Sequence, residues 1–328
     1  MDKTIENLNK KAELYSKETD KIISEVEKVI VGQKDIVKKV VVALFANGHV
    51  LLEGMPGLAK TMMINTLANT IDVDFKRLQF TPDLLPADIM GTKIYNQKTG
   101  EFTTKKGPIF SNFILADEIN RAPPKVQSAL LEAMQERQVT ISGETHKLEK
   151  PFLVLATQNP IETEGTYALP EAQVDRFMFK LHLDYPTDKE EAEILRRMTT
   201  GHIPTAEKIT TANSILKIQK FVPEIYVDEK IHNYVVKIVH ATRDPKKYKI
   251  DVEGHLQYGA SPRASLWLVL GAKSQALLNS RGYVLPEDVK VIAKDVLRHR
   301  ILLTYEAEAE GITADEIIDK IISGIKSP

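Results

Sequence analysis

The chain has 328 residues, of which 43% are hydrophobic and 27% charged, a mixture typical of a folded protein of about two domains. Its 44 Lys and Arg against 45 Asp and Glu leave a formal charge of -1, which excludes a global attraction to nucleic acid or anionic lipid. The chain has no cysteine, which excludes disulfides, thiolate nucleophiles and cysteine metal sites and fits a reducing compartment.

The N-terminal residues 1–29 are predicted to be helical. Apolar side chains recur there at approximate helical spacing among many charges, as in one or two amphipathic helices: Ile5, Leu8, Ala12, Ile22 and Val26. This start of the chain lacks the apolar run of a signal peptide. The longest apolar run, residues 40–46, is far shorter than the roughly 20 residues that span a membrane. We therefore expect a cytoplasmic protein with no membrane insertion.

In residues 30–186, short apolar runs alternate with helical or polar stretches. This alternation predicts an α/β domain with a mostly parallel sheet and helices on its faces. The runs are VLLE, FKRLQF, NFILADE, FLVLAT and FMFKLHL. Two segments interrupt the alternation and predict inserted β-hairpins, residues 91–107 around a Lys98-Thr99-Gly100 turn and residues 138–150 around Gly143.

Residues 187–328 are predicted to form a helical linker and a lid. Thr187 and Glu190 fit a capping box, and Ser261 followed by Pro262 fits a helix cap with proline at the first helical position. Apolar periodicity continues through VVKIV, SLWLVLGA, VKVIAKDVL and ADEIIDKII, with almost no strand-like run. We expect the C-terminal domain to be all-helical.

The sequence GMPGLAKT, residues 54–61, lies between an apolar run and the helix-compatible MMINTLANTI, which is the context of a phosphate-binding loop. In such a loop, backbone N–H groups at a helix N-terminus surround an anion-sized cavity. Lys60 would reach the β- and γ-phosphates of ATP, and the Thr61 hydroxyl would ligate Mg²⁺. Ala59 replaces the usual glycine, and we expect the loop to close provided that φ of Ala59 is negative. A chance GxxG turn before a helix is the alternative. The predicted nucleotide contacts of this segment are Gly54, Met55, Pro56, Gly57, Leu58, Ala59, Lys60, Thr61 and Met62.

A second apolar strand, FILADE, ends in the two carboxylates of Asp117 and Glu118. We expect this strand to neighbour the strand before the phosphate loop. Asp117 would then hold Mg²⁺ partly through water, and Glu118 would polarise the attacking water. A strand followed by an acidic helix cap is the alternative.

With GMPGLAKT, ILADEINRA and LVLATQNP in this order, the chain resembles AAA+ ATPases and, within them, the MoxR family. The resemblance covers residues 30–328, is weakest in residues 200–254, and includes LLEAMQERQVTI and LPEAQVDRF. Alanine at the position of Ala59 is a variant that this family tolerates. The resemblance implies an AAA+ P-loop NTPase core with a parallel five-stranded sheet, two β-hairpin insertions and a C-terminal helical lid domain.

The resemblance also implies roles for single residues. Asn159 is similar to the sensor residue that lies beside the γ-phosphate and helps to place the lytic water; a turn former before Pro160 is the alternative. Arg176 resembles the arginine finger that reaches the nucleotide of a neighbouring subunit. An ion pair with Asp175 or Glu171 of its own chain is the alternative.

Arg263 matches the second sensor position, on the lid. A cation in the first turn of a helix opposes the helix dipole, which independently suggests an anionic partner; simple solvent exposure is the alternative. The resemblance further places Val31, Gly32 and Gln33 on the adenine side of the nucleotide. Arg121 is a weaker candidate for a second contact with a neighbouring subunit.

The function implied by the resemblance is that of a chaperone-like ATPase in a homo-oligomeric ring, a hexamer, that remodels or activates a partner protein complex. Partners with von Willebrand A domains and assistance in metal-cofactor insertion are implied in the same way. The two hairpins are candidates for contacting a substrate or the ring pore. A nucleic-acid motor is an alternative, against which the near-neutral charge argues. The ATPase subunit of a metal chelatase is another.

Overall fold

The computed structural model describes residues 3–55, 57–98, 100–159, 165–199, 201, 204–252 and 254–328. This part of the chain forms two compact units. The first comprises the described residues of Lys21–Arg176 and Leu181–Lys217. The second comprises those of Met1–Asp20, Phe177–Lys180 and Ile218–Pro328.

The first unit contains most of a five-stranded sheet, as predicted, and the strand order of this sheet is β2-β5-β8-β1-β9. Residue-by-residue pairing is parallel between β1 and β8, β8 and β5, and β5 and β2. The central strands are buried on both faces, which explains their continuous apolar sequences. The strands are β1 (Val50–Gly54), β2 (Phe75–Gln79), β5 (Phe113–Asp117), β8 (Leu153–Gln158) and β9 (Phe179–Leu183).

Both predicted hairpins are present as antiparallel pairs inserted between elements of this unit. The first consists of β3 (Gly91–Asn96) and β4 (Glu101–Lys106), and the second of β6 (Gln138–Ile141) and β7 (Glu144–Lys147). The Lys93 ammonium lies 2.7 Å from a carboxylate oxygen of Glu144, so that an ion pair connects the two hairpins.

Seven helices, α1 to α7, precede, connect or follow the strands of the sheet in the described residues of the chain up to Met198. Helix α1 is a single element that contributes residues to both units, where the sequence predicted one or two helices. The helices are α1 (Lys3–Val29), α2 (Lys34–Phe45), α3 (Lys60–Ile71), α4 (Pro86–Met90), α5 (Pro124–Glu136), α6 (Glu171–Val174) and α7 (Asp188–Met198). The predicted capping box at the start of α7 forms, because the Thr187 hydroxyl accepts from the Glu190 N–H and the Glu190 carboxylate accepts from the Thr187 N–H.

The two units do not divide the chain at the predicted positions, after residues 29 and 186. Residues 187–217, predicted to begin the helical linker and lid, form hydrogen bonds with other residues of the first unit. The Glu207 N–H donates to the Glu25 carboxylate at 2.9 Å, and the N–H groups of Ile209 and Thr210 donate to the carbonyl of Thr70.

The second unit is mainly helical. Its helices are α8 (Ala212–Phe221, shared with the first unit), α9 (Glu229–Arg243), α10 (Pro262–Leu278), α11 (Pro286–Leu297), α12 (Tyr305–Ala309) and α13 (Ala314–Gly324). The structure adds one antiparallel pair to the predicted all-helical domain, β10 (Leu256–Tyr258) with β11 (Leu302–Leu303). Strands of three and two residues are too short to produce a recognisable alternating pattern. Among the described residues, no helix combines the length and apolar character needed to cross a membrane.

Candidate functional site

The phosphate loop connects the end of β1 to the start of α3. Ala59, the residue before the helix, has φ 55° and ψ 23°, so the negative φ set as a condition for closure of the loop is not present. The loop turns into the helix through a left-handed residue, which explains why glycine is the usual occupant and why alanine is strained there by about 1–2 kcal/mol. Gly54 has a different reason to be glycine, since a Cβ atom would lie 2.9 Å from the carbonyl oxygen of Leu183.

Lys60 is the first residue of α3, directly after the loop. Its ammonium donates a 2.7 Å hydrogen bond to the carbonyl of Gly54, the first residue of the loop. Burial lowers the pKa of Lys60, while the nearby carboxylates of Asp117 and Glu118 act in the opposite direction. A half-buried cation held against a single backbone carbonyl can turn to a stronger acceptor, and a phosphate oxygen is one.

The two carboxylates follow one another at the end of β5, but their surroundings differ. One oxygen of Asp117 accepts from the Thr157 hydroxyl at 2.7 Å. The other accepts from Nε and Nη2 of Arg77 at 3.0 and 2.6 Å. Thr157 also accepts the backbone N–H of Glu118 at 2.8 Å, so that one buried hydroxyl on β8 holds both members of the acidic pair.

Glu118 directs its carboxylate toward β2. One of its oxygens accepts from the Gln79 amide at 2.7 Å and from the Arg121 guanidinium at 2.9 Å. Glu118 has φ 56° and ψ 51°, so the chain leaves the strand through a left-handed residue there. Arg121, predicted as a weaker candidate for an intersubunit contact, therefore contacts the acidic pair of its own chain.

These groups line one cleft of about 400 Å³ at the carboxyl ends of the strands. The cleft brings together three separately predicted groups, the phosphate loop, the acidic pair and Asn159. Met55 is not among the described residues that line it, and Pro56 lies outside the described residues. The lining residues are Gly54, Gly57, Leu58, Ala59, Lys60, Thr61, Met62, Arg77, Asp117, Glu118, Thr157 and Asn159.

The residues predicted on the adenine side lie in the turn before α2. Gly32 and Gln33 have φ 71° and 54°, and the Gln33 amide donates to the carbonyl of Asp184 at 2.9 Å. A Cβ atom on Gly32 would lie 2.8 Å from a carboxylate oxygen of Glu190. Neither these two residues nor Val31 is among the described residues that line the cleft, and their adenine contact stays a prediction.

The two predicted arginines do not line the cleft within the described structure. Arg176 follows α6, and its Nη1 donates to the carbonyl of Leu131 at 3.1 Å. Its Nε is buried without a hydrogen-bond partner in the described part of the chain. Arg263 is the second residue of α10 in the second unit, where its N–H donates to the Ser261 hydroxyl that caps the helix. Their roles in catalysis stay predictions.

Three polar residues around the acidic pair were not singled out from the sequence: Arg77, Gln79 and Thr157, of which Arg77 and Thr157 line the cleft. For the first two, the sequence indicates only that they share one face, because they are polar residues at positions i and i+2 of a strand. Gln79 pairs directly with Asp117 in the register of β2 with β5, and Arg77 lies two residues earlier on the same face. Thr157 had no such signal, since threonine is common in buried strands.

The donor set fits ATP with Mg²⁺. The loop presents a lysine and the N-terminus of the 12-residue helix α3, both of which suit phosphate. Thr61 and Asp117 offer the hydroxyl and carboxylate oxygens that Mg²⁺ prefers, and this ion commonly takes its remaining ligands from phosphate and water. No group of three or more His, Cys, Asp or Glu able to hold a metal occurs among the described residues.

The acidic pair follows β5, which β8 separates from β1, so the predicted adjacency of these two strands is wrong. A parallel sheet with a phosphate loop after β1 and an acidic pair at the end of β5 defines a P-loop NTPase of the AAA class. Residues 49–179 match the family model described as "ATPase family associated with various cellular activities (AAA)", and residues 249–321 match the AAA lid domain. Over 310 residues the chain is 49% identical to Chaperone MoxR1 of Mycobacterium tuberculosis, covering 94% of this chain and 82% of that protein. The chain belongs to the MoxR family of AAA+ ATPases.

Two further proteins are similar to almost the whole chain. The uncharacterized protein YeaC of Bacillus subtilis is 48% identical over 309 residues, which are 94% of each chain. The crystal structure of a proposed ATPase from Cytophaga hutchinsonii superposes with a TM-score of 0.92 at 52% identity, covering 97% of this chain and 98% of that one.

Proposed function

We propose that this chain hydrolyses ATP with Mg²⁺ in the cleft described above, as a subunit of a hexameric ring in the cytoplasm. The observation that supports this best is the convergence, on one cleft, of the phosphate loop, Asp117, Glu118 and Asn159. These groups come from three different strand ends, and each has the chemistry that phosphoryl transfer to water needs.

Five residues of the cleft take part in the proposed hydrolysis of ATP. Lys60 exchanges the carbonyl of Gly54 for the β- and γ-phosphates. Thr61 and Asp117 would hold Mg²⁺, which would supply positive charge against the phosphate oxygens. Glu118 orients the attacking water and draws its proton. Asn159 helps to place that water.

Two variants test the proposal at the cleft. Lys60→Ala should abolish ATP binding, because the principal phosphate cation is lost. Glu118→Gln should bind ATP with nearly unchanged affinity and lose about 100-fold or more in turnover, in the upper part of the range for general acid–base groups. The controls are Lys217→Ala and Glu101→Gln, residues outside the cleft. Wild-type turnover by Glu118→Gln, measured as phosphate release, would refute the assignment.

Arg176 is the residue that is proposed to act between neighbouring subunits of the ring. The segment LPEAQVDRF, which contains Arg176 and matches the family, supports a role at the nucleotide of a neighbouring subunit, where Arg176 would stabilise charge on the transferring phosphoryl group. Arg263 is proposed to respond to the same phosphates from the lid. Mixing Arg176→Ala with Lys60→Ala should partly restore turnover, because intact half-sites then meet at some interfaces. Light scattering with ATP measures the ring size, and mixed rings without any restored turnover would place Arg176 in its own site.

The biological role proposed for the ring is chaperone-like remodelling or activation of a partner protein complex. Proteins with a von Willebrand A domain are among the proposed partners. The support is that the relative from Mycobacterium tuberculosis is named a chaperone. Assistance in metal-cofactor insertion belongs to the same proposal. Affinity capture with Glu118→Gln held in ATP should recover a protein partner. Recovery of nucleic acid instead, with salt-dependent stimulation of turnover by DNA, would favour a nucleic-acid motor.

A further inference from the structure

The guanidinium of Arg77 lies in the cleft, yet none of the roles above uses it. Arg77 points from the edge strand β2 to Asp117, and its Nη2 also donates to the side-chain oxygen of Gln79 at 2.8 Å. The Arg77 side chain is 50% exposed and that of Asp117 is 17% exposed. The ion pair is therefore open to the cleft on the arginine side and sheltered on the aspartate side.

The two oxygens of Asp117 are not equivalent. One is occupied by the Thr157 hydroxyl, a neutral donor on a buried strand. The other oxygen accepts hydrogen bonds from Nε and Nη2 of the positively charged Arg77 guanidinium. A divalent cation that approaches Asp117 needs lone pairs of the same carboxylate, and two cations close to one oxygen repel each other. Arg77 and Mg²⁺ therefore compete for Asp117.

We propose that Arg77 is a positioning residue that acts as a tethered substitute for Mg²⁺: it neutralises Asp117 while the metal is absent and yields when metal and nucleotide enter. This inference rests on the proposed function. Within the cleft Arg77 offsets one of the two carboxylate charges of Asp117 and Glu118. Without it, Asp117 would repel the polyphosphate of a metal-free nucleotide, and Mg²⁺ would meet no competing cation.

The measurable consequence is the dependence of nucleotide binding on Mg²⁺. A fluorescent, non-hydrolysable ATP analogue is titrated into the full chain in saturating Mg²⁺ and again in EDTA, and the ratio of the two affinities is compared between variants. In Arg77→Gln the metal-free affinity should fall about threefold while the affinity in Mg²⁺ is retained, a change of the size measured for partly exposed ion pairs. Arg77→Lys keeps the charge, so its ratio should lie closer to that of the wild type.

Control variants distinguish an effect of the Arg77–Asp117 ion pair from a general loss of positive charge or of stability. Arg196→Gln removes an exposed arginine that pairs with Glu193 on α7, outside the cleft, and should leave the ratio unchanged. In an Asp117→Asn background, Arg77→Gln should cause no further loss of metal-free affinity. Thermal unfolding of each variant checks the fold, and Arg77→Lys provides a second measurement if Arg77→Gln does not fold.

Three results would overturn the inference. One is an unchanged ratio in Arg77→Gln, and another is a ratio in Arg77→Lys as large as that in Arg77→Gln. The third is an undiminished loss in the Asp117→Asn background, which would mean that Arg77 acts on phosphate directly. Failure of the wild type to bind the analogue in Mg²⁺ is a separate outcome, because it would refute the proposed function itself.

Discussion

Replacing Thr157 by valine should disable the acidic pair while preserving the shape of the sheet. The Thr157 hydroxyl is buried on β8, accepts the N–H of Glu118 at 2.8 Å and donates to Asp117 at 2.7 Å. Valine fills nearly the same volume but offers neither function, so that a backbone donor and a carboxylate oxygen both lose their partner.

The magnitude follows from these two hydrogen bonds. The bond to the carboxylate contributes about 1.5–3 kcal/mol and the bond from the backbone about 0.5–1.5 kcal/mol. Part of this is regained because valine buries a methyl group where threonine buries a hydroxyl, so a net loss of about 2 kcal/mol is expected. Displacement of Asp117 and Glu118 by a fraction of an ångström should lower turnover about 10- to 100-fold, with little change in ATP affinity.

The assay compares Thr157→Val with Thr157→Ser. Serine keeps the hydroxyl and loses a buried methyl, so it should cost about 1 kcal/mol of stability and leave turnover within about threefold of the wild type. Urea unfolding measures the stability, and phosphate release at saturating ATP measures the turnover. Turnover by Thr157→Val equal to that of Thr157→Ser would refute the idea that this hydroxyl holds the catalytic carboxylates.

Two further predictions concern the backbone and pH. Ala59→Gly should raise the free energy of unfolding by about 0.5–1 kcal/mol, because glycine relieves the left-handed strain but has more freedom when unfolded. Urea unfolding without nucleotide measures this change. A loss of stability would contradict the claim that Ala59 is strained. Burial lowers the pKa of His49 well below its usual value, and the ring accepts from the Val154 N–H and lies against the carbonyl of Met134. Below about pH 6.5 the unfolded chain therefore binds a proton that the folded chain does not. As the pH is lowered below this value, the free energy of unfolding should decrease by up to about 1.4 kcal/mol per pH unit. His49→Gln should reduce this slope of the free energy of unfolding against pH, and an unchanged slope would exclude His49 as its source.

The sequence was sufficient where a local pattern carries the information. The continuous apolar sequence of β5 and β8 predicts buried strands because a parallel sheet covered on both faces excludes water from every residue. The hairpin around Gly143 was visible because a turn residue between two alternating segments is a short-range signal. The same holds for the loop that ends in Lys60, whose glycines, lysine and threonine lie within eight consecutive positions.

Other features depend on register or on backbone angles that no short pattern specifies. Arg77 and Gln79 reach the acidic pair only because β2 pairs with β5 in a register that sets Gln79 opposite Asp117. The attachment of residues 187–217 to the unit with the sheet likewise depends on hydrogen bonds to Glu25 and Thr70, far away in the chain. A shift of one residue in strand pairing would turn each side chain to the other face, and nothing local prevents it.

The phosphate loop illustrates this division within a single short segment. The sequence by itself determined that the loop carries Lys60 and Thr61 at a helix start, since this depends only on neighbours in the chain. Only the tertiary structure decided that Ala59 is left-handed and that the loop faces Asp117, Glu118 and Thr157. The physical reason is that strand pairing joins segments distant in sequence, and the packed sheet then imposes on Ala59 a conformation that alanine alone disfavours.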